Sequence, residues 1–158
     1  MKNRLNLFVI LLTGMLLMLT ACGGVPSVDW ELKISGDVQN PLTYSYKELA
    51  SMKQVDLEDI LMEKTTSEDE ITSWSGVPLD LILDEAGAGE ISTITALAAD
   101  GYAIEISAGE LKNAIVALKD NGKWIAKVTP DKGPIRLVTP ETPGNRWVFQ
   151  LTEIQVNQ

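Results

Sequence analysis

Six basic side chains, Lys119, Lys123, Lys127, Lys132, Arg136 and Arg146, fall within 28 consecutive positions of a 158-residue chain. If several converge in the fold, they can hold a phosphate or a carboxylate. An arginine is the strongest single choice, because its guanidinium offers parallel N–H donors to one anion. The competing reading is a set of solvated charges that pair with the acidic part of the chain. Tyr102 follows the turn pair Asp100-Gly101 and is a further candidate contact, against a plain turn-and-packing role. The candidate ligand-binding set is therefore Arg136, Tyr102, Lys132 and Arg146. The four tryptophans read as core or rim packing, or as an aromatic wall to a pocket.

The composition excludes whole classes of chemistry. There is no histidine, so Ser-His-Asp and Cys-His catalysis and every His-ligated metal site are ruled out. One cysteine rules out an internal disulfide and CxxC chemistry. A net charge of -9 argues against nucleic acid as a partner. Charge is also unevenly placed: residues 22–118 carry 5 basic and 18 acidic side chains, whereas residues 119–158 carry 6 and 4. The acidic group Glu68, Asp69 and Glu70, with Glu58, Asp59 and Glu63 nearby, lacks the spaced loop and glycine of an EF-hand and reads as a solvated loop. Gly87-Ala88-Gly89 follows a helical pattern and reads as a helix stop, not a dinucleotide fingerprint. No metal ligand set emerges.

The first residues read as an address. Lys2 and Arg4 precede an apolar run from Leu7 to Leu19, too short to span a bilayer. Leu19-Thr20-Ala21-Cys22 follows, and the whole resembles a bacterial lipoprotein signal, in which the cysteine becomes the lipidated first residue of the mature chain. The expected organisation is a signal peptide over 1–21, a flexible tether over 22–28 and one folded domain over 29–158. The expected location is the extracytoplasmic face of a membrane in the cell envelope, with the membrane itself as partner through the lipid on Cys22. The mature chain has 11 basic and 22 acidic residues, net -11, which points to an anchor made by lipid alone. It also has no free thiol to act as nucleophile or soft metal ligand.

The elements that must position these residues are mostly strands. Trp30 to Ile34 alternates apolar and polar residues, and Leu42 to Tyr44 extends from Asn40-Pro41. Ser45 and Glu48 form a capping box for a short helix to about Met52. Val55 to Met62 is a strand whose alternation slips, which a bulge explains. Thr65 to Thr72 reads as a polar loop. Pro78 opens a helix through Ala86, closed by Gly87. Ile91 to Ala98, Tyr102 to Ile106, Ile115 to Leu118, Ile135 to Thr139 and Trp147 to Val156 read as strands completing a sheet. Ser107 and Glu110 are a second capping box, starting a helix near Leu111, and Asn121-Gly122 is a hairpin signal. Short helices among strands, without long crossovers, give a mixed α+β class.

Four stretches in order carry a family resemblance: Trp74-Ser75-Gly76-Val77-Pro78-Leu79, Asp100-Gly101-Tyr102, Gly133-Pro134-Ile135-Arg136-Leu137-Val138-Thr139-Pro140, and Trp147-Val148 with Ile154-Gln155-Val156. Leu32-Lys33-Ile34-Ser35-Gly36 with Asn40-Pro41-Leu42 adds to them. Over Trp30 to Val156 the chain resembles the oxidoreductase molybdopterin-binding domain, the core domain of sulfite oxidase and its bacterial relatives. The resemblance implies a mixed α+β fold with short helices packed on mostly β structure. It also implies a molybdopterin cofactor, and it favours Arg136, which sits inside the Gly-Pro-Ile-Arg stretch.

The chain departs from that family where the metal would sit. In catalytic members a cysteine thiolate on the segment before the Trp-x-Gly-Val-Pro motif binds molybdenum. Here that segment is Val55 to Lys64, without cysteine, and the ligand position falls near Glu63, a hard carboxylate. The family's phosphate-binding histidines are absent, and the basic residue that often follows the Trp-Val pair falls on Phe149. The expectation is a non-catalytic binding or accessory module for a small anionic or pterin-like ligand near Arg136, without a metal cofactor, and with molybdopterin left open by the resemblance. The alternatives are an active molybdopterin-dependent oxidoreductase with a non-Cys site, and a scaffold that holds a partner protein at the membrane.

Overall fold

The structure is a computed structural model that describes residues 24–158. The expected signal segment and Cys22 lie outside the described residues. No helix among the described residues is long and apolar enough to cross a membrane.

Two sheets carry the chain. The first has the order β2–β1–β11–β5–β6, built from β1 (Glu31–Gly36), β2 (Leu42–Ser45), β5 (Thr93–Ala98), β6 (Ala103–Ser107) and β11 (Leu151–Asn157). Only β1 with β11 is parallel in it. The second has the order β10–β9–β7–β4–β3, from β3 (Val55–Met62), β4 (Glu70–Pro78), β7 (Ile115–Asp120), β9 (Arg136–Val138) and β10 (Val148–Phe149), and β8 (Lys123–Trp124) pairs with β7. The main core joins one face of each sheet: Leu32, Ile34, Ile94 and Ile154 from the first, Val77, Val116, Leu118 and Leu137 from the second. Each set follows the two-residue period of a strand with one face buried. Helix α1 (Tyr46–Ser51) adds Tyr46 and Leu49, and α2 (Leu79–Glu85) adds Leu79, Ile82 and Leu83.

Local chemistry explains most boundaries. The Ser45 hydroxyl accepts from the Glu48 backbone N–H at 3.3 Å, and the Glu48 carboxylate accepts from the Ser45 N–H at 2.7 Å, the expected capping box. The β3–β4 register shifts between Leu57 and Ile60, with Asp59 at φ 54°, which is the expected bulge. Asn121 and Gly122 have φ of 46° and 74° and join β7 to β8, as a tight hairpin turn demands. The second capping box also forms, but on a single 3₁₀ turn over Ala108–Leu111.

Two expectations are corrected. The polar loop over Thr65 to Thr72 is shorter, because β4 begins at Glu70 and pairs it with Met62. Thr72 is buried there, so cross-strand pairing outweighs the polar composition. Trp147 to Val156 is not one strand: β10 belongs to the second sheet and β11 to the first, and Gln150 between them has φ 46°. The left-handed residue turns the chain from one layer to the other. Val28 packs against the main core, and Lys127 Nζ donates to the Gly24 carbonyl at 3.1 Å. Lys127 lies on α3 (Ile125–Val128), a short helix absent from the sequence reading.

Arg146 is fixed by this framework. Its guanidinium bonds the Glu110 carboxylate and donates to the Glu105 carbonyl at 3.1 Å. Glu110 has its pKa held down at about 2, chiefly by the Ser107 side-chain and backbone bonds and then by Arg146. A carboxylate with a depressed folded-state pKa contributes stability above its unfolded value, lost as pH falls toward the folded one. In acid titrations followed by circular dichroism, part of the stability should therefore disappear between about pH 4.5 and pH 2, and Glu110→Gln should flatten that part of the curve. A second expectation separates close packing from backbone strain. Gly36 has φ 85° and a Cβ there would meet the Val156 carbonyl oxygen at 2.2 Å, whereas Gly101 at φ 90° has nothing within 4 Å. In urea unfolding, Gly101→Ala should cost about 1–2 kcal/mol from the left-handed backbone alone. Gly36→Ala should cost clearly more.

Candidate functional site

The second sheet has a second apolar face. Ile135, just before β9, and Leu137 on it point into the main core, so Arg136 and Val138 point the other way. There Met62, Trp74, Ile115, Ala117, Ile125, Val138 and Trp147 form a smaller cluster. Arg136 sits opposite Ala117 on β7 and Phe149 on β10. Its side chain is enclosed, with the residue 5% exposed.

Aromatic rings surround the guanidinium. The Arg136 Cζ lies 3.5 Å from the Phe149 ring centre, 4.9 Å from that of Trp74 and 5.3 Å from that of Trp147. Trp74 and Trp147 meet edge to face at 5.9 Å. Their indole N–H groups are already committed: Trp74 donates to the Thr72 hydroxyl at 2.8 Å, and Trp147 to the carbonyls of Thr139 and Thr142 at 2.9 and 3.1 Å. The rings are thereby fixed and offer π surfaces to the cation. None of these rings accepts a conventional hydrogen bond from the guanidinium, and Arg136 Nε is buried without a hydrogen-bond partner among the described residues. Burial lowers the Arg136 pKa to about 10, partly opposed by Asp120. Asp120 is itself pushed up by burial, with the Arg136 charge working against that rise. The two charges feel each other without forming a direct ion pair.

A cavity of about 320 Å³ opens on this group. Arg136, Trp74, Asp120, Lys132 and Phe149 line it, with the Lys64–Glu70 ion pair at 2.6 Å. Asp120 reaches it through an irregularity. Ala117 belongs to the second apolar face, and an odd-numbered step would normally send Asp120 to the other side. The β4–β7 register shifts between Ser75 and Gly76, which sets Asp120 opposite Trp74 instead. Helix α3 contributes Ile125, and Thr129 beyond it also lines the space.

Of the candidate residues, the structure brings Arg136 and Lys132 together at the cavity. It does not bring the other two. Arg146 is held by Glu110, and Tyr102 lies exposed at the turn between β5 and β6 of the first sheet, its N–H donating to Asp100 at 2.9 Å. The basic cluster therefore does not converge as a unit: Lys119 lies over the Trp124 ring and Lys127 binds Gly24. Sequence reading missed Lys64, Glu70 and Asp120 as lining residues. Alternation along the hairpin held a signal for Lys64, since Met62 and Lys64 line the cavity while Glu63 between them is exposed. No local pattern marks the register shift that places Asp120.

The donors present do not fit a thiolate-held molybdenum. The described residues contain neither cysteine nor histidine, and they include no group of three or more His, Cys, Asp or Glu able to hold a metal. The softest atom at the cavity is the uncharged Met62 thioether, which does not replace a thiolate. The buried guanidinium, its Nε without a hydrogen-bond partner, does fit an anion.

The sequence matches the oxidoreductase molybdopterin binding domain over residues 22–158. No curated protein matches it. Among solved structures, the fold is similar to that of the sulfane dehydrogenase SoxCD from Paracoccus pantotrophus, with a TM-score of 0.71 and 21% identity. That similarity covers 84% of this chain, which spans 40% of the SoxCD chain. The chain belongs to the oxidoreductase molybdopterin-binding domain family and has its mixed α+β, sulfite-oxidase-like fold.

Proposed function

We propose that this is an extracytoplasmic lipoprotein, anchored through Cys22, whose domain is a non-catalytic binding module for a small anionic or pterin-like ligand. One observation carries the reading of the site: Arg136 is buried, lacks a hydrogen-bond partner on Nε and borders a cavity walled by Trp74 and Phe149. A buried cation without a hydrogen-bonded counter-charge is costly, and an incoming phosphate or carboxylate supplies both charge and acceptors. Flat aromatic walls suit a planar ring carried by the same ligand. Lys132 adds a second positive charge at the cavity. The missing thiolate supports binding without redox turnover, and the lipobox at Cys22 supports the anchor.

Calorimetry with inorganic phosphate and with a phosphorylated pterin tests the site. Both should bind, the pterin more tightly. Arg136→Ala should abolish binding, and Arg136→Lys should weaken it about tenfold, since a charge-assisted hydrogen bond is worth roughly 1.5–3 kcal/mol. Unchanged affinity in Arg136→Ala, or molybdenum co-purifying near one atom per chain, would overturn the reading. The same arginine should be dispensable for folding. Replacing a buried, poorly paired charge by an apolar chain of similar length is neutral or stabilising. Arg136→Met should therefore match or exceed the wild-type melting temperature without ligand while failing to bind, and a clear loss of stability would make Arg136 a structural residue.

A further inference from the structure

The described chain begins on the same side of the domain as α3. Gly24 accepts from Lys127 on α3, and Val28 packs into the main core. Cys22 precedes Gly24 by two residues, and two residues of chain reach no more than about 7 Å. A lipid on Cys22 must therefore enter a bilayer close to α3. The surface at that point suits such a neighbour. Val25 and Val128, the chain neighbours of the Gly24–Lys127 pair, are 50% and 45% exposed. Lys123, just before α3, and Lys127 on it have no acidic residue between them, in a protein that is acidic elsewhere.

We infer that the face formed by α3 and the Gly24–Ser27 segment rests on the phospholipid bilayer, with Lys123 and Lys127 adding local basic charge to the lipid-only anchor that net charge suggests, and Val25 and Val128 toward the interfacial layer. Lysines close to an anionic surface are attracted to it, and exposed valines at the headgroup level lose unfavourable contact with water. Because Ile125 of α3 and Thr129 also line the Arg136 cavity, the binding site lies beside the lipid surface and not at the far end of the domain. The inference rests on the Cys22 anchor proposed above.

The test uses the mature lipoprotein reconstituted in vesicles of phosphatidylethanolamine and phosphatidylglycerol. A nitroxide label at Val128→Cys is compared with one at Glu90→Cys. Glu90 is exposed and lies near Ser92, which bonds Asn157 at the end of β11 opposite Leu151 and Trp30. The expected result is a loss of collisions with a water-soluble nickel chelate at position 128, with oxygen collisions retained, and full nickel access at position 90. Equal nickel access at both positions, in protein whose mass shows diacylglyceryl on Cys22, would overturn the docking face and leave the anchor standing. A mass showing unmodified Cys22 would overturn the anchor and this inference with it.

Discussion

The organising constraint of this molecule is a positive charge placed on the inner side of an aromatic enclosure. Cation–π contacts are worth about 0.5–2 kcal/mol each. Removing a guanidinium from water costs several kcal/mol. Three rings at 3.5 to 5.3 Å therefore offset part of that cost and leave the N–H donors in need of acceptors. The second sheet is arranged around this condition. Its strand alternation sends Arg136 away from the main core, its paired Thr–Trp hydrogen bonds hold the rings, and the β4–β7 irregularity brings Asp120 to the opposite wall.

The two faces of that sheet divide the work. The face against the first sheet supplies stability, through residues such as Val77, Val116 and Leu137 that exclude water completely. The opposite face combines a small apolar cluster with the few polar groups that meet the cavity. Phe149 illustrates how close these roles lie. Its backbone pairs with Arg136, its ring covers the guanidinium, and the next residue turns the chain into the other sheet.

What could be read from the sequence follows physical range. Capping by Ser45 and Glu48, the Asn121-Gly122 turn and the slip of alternation between Leu57 and Ile60 are decided within a few residues, and each is present. The ordered motifs carried the family. Lys132 lies at the cavity and Arg146 does not, because basic charge along a chain does not reveal which partner each side chain meets: Glu110 is 36 positions from Arg146. The division of Trp147 to Val156 between two sheets depends on one backbone angle at Gln150, a residue type that gives no warning of it. Short α3 escaped notice because four residues are too few for a helical period to register.

Strand β3 forms an outer edge of the second sheet. Exposed edges of this kind invite copies of a protein to polymerise. The bulge at Asp59 interrupts any continuous ladder, and Asp56, Glu58, Asp59 and Glu63 would set carboxylate against carboxylate in a symmetric encounter. The irregularity that interrupts the hairpin ladder therefore also disfavours the zipping of copies along this edge.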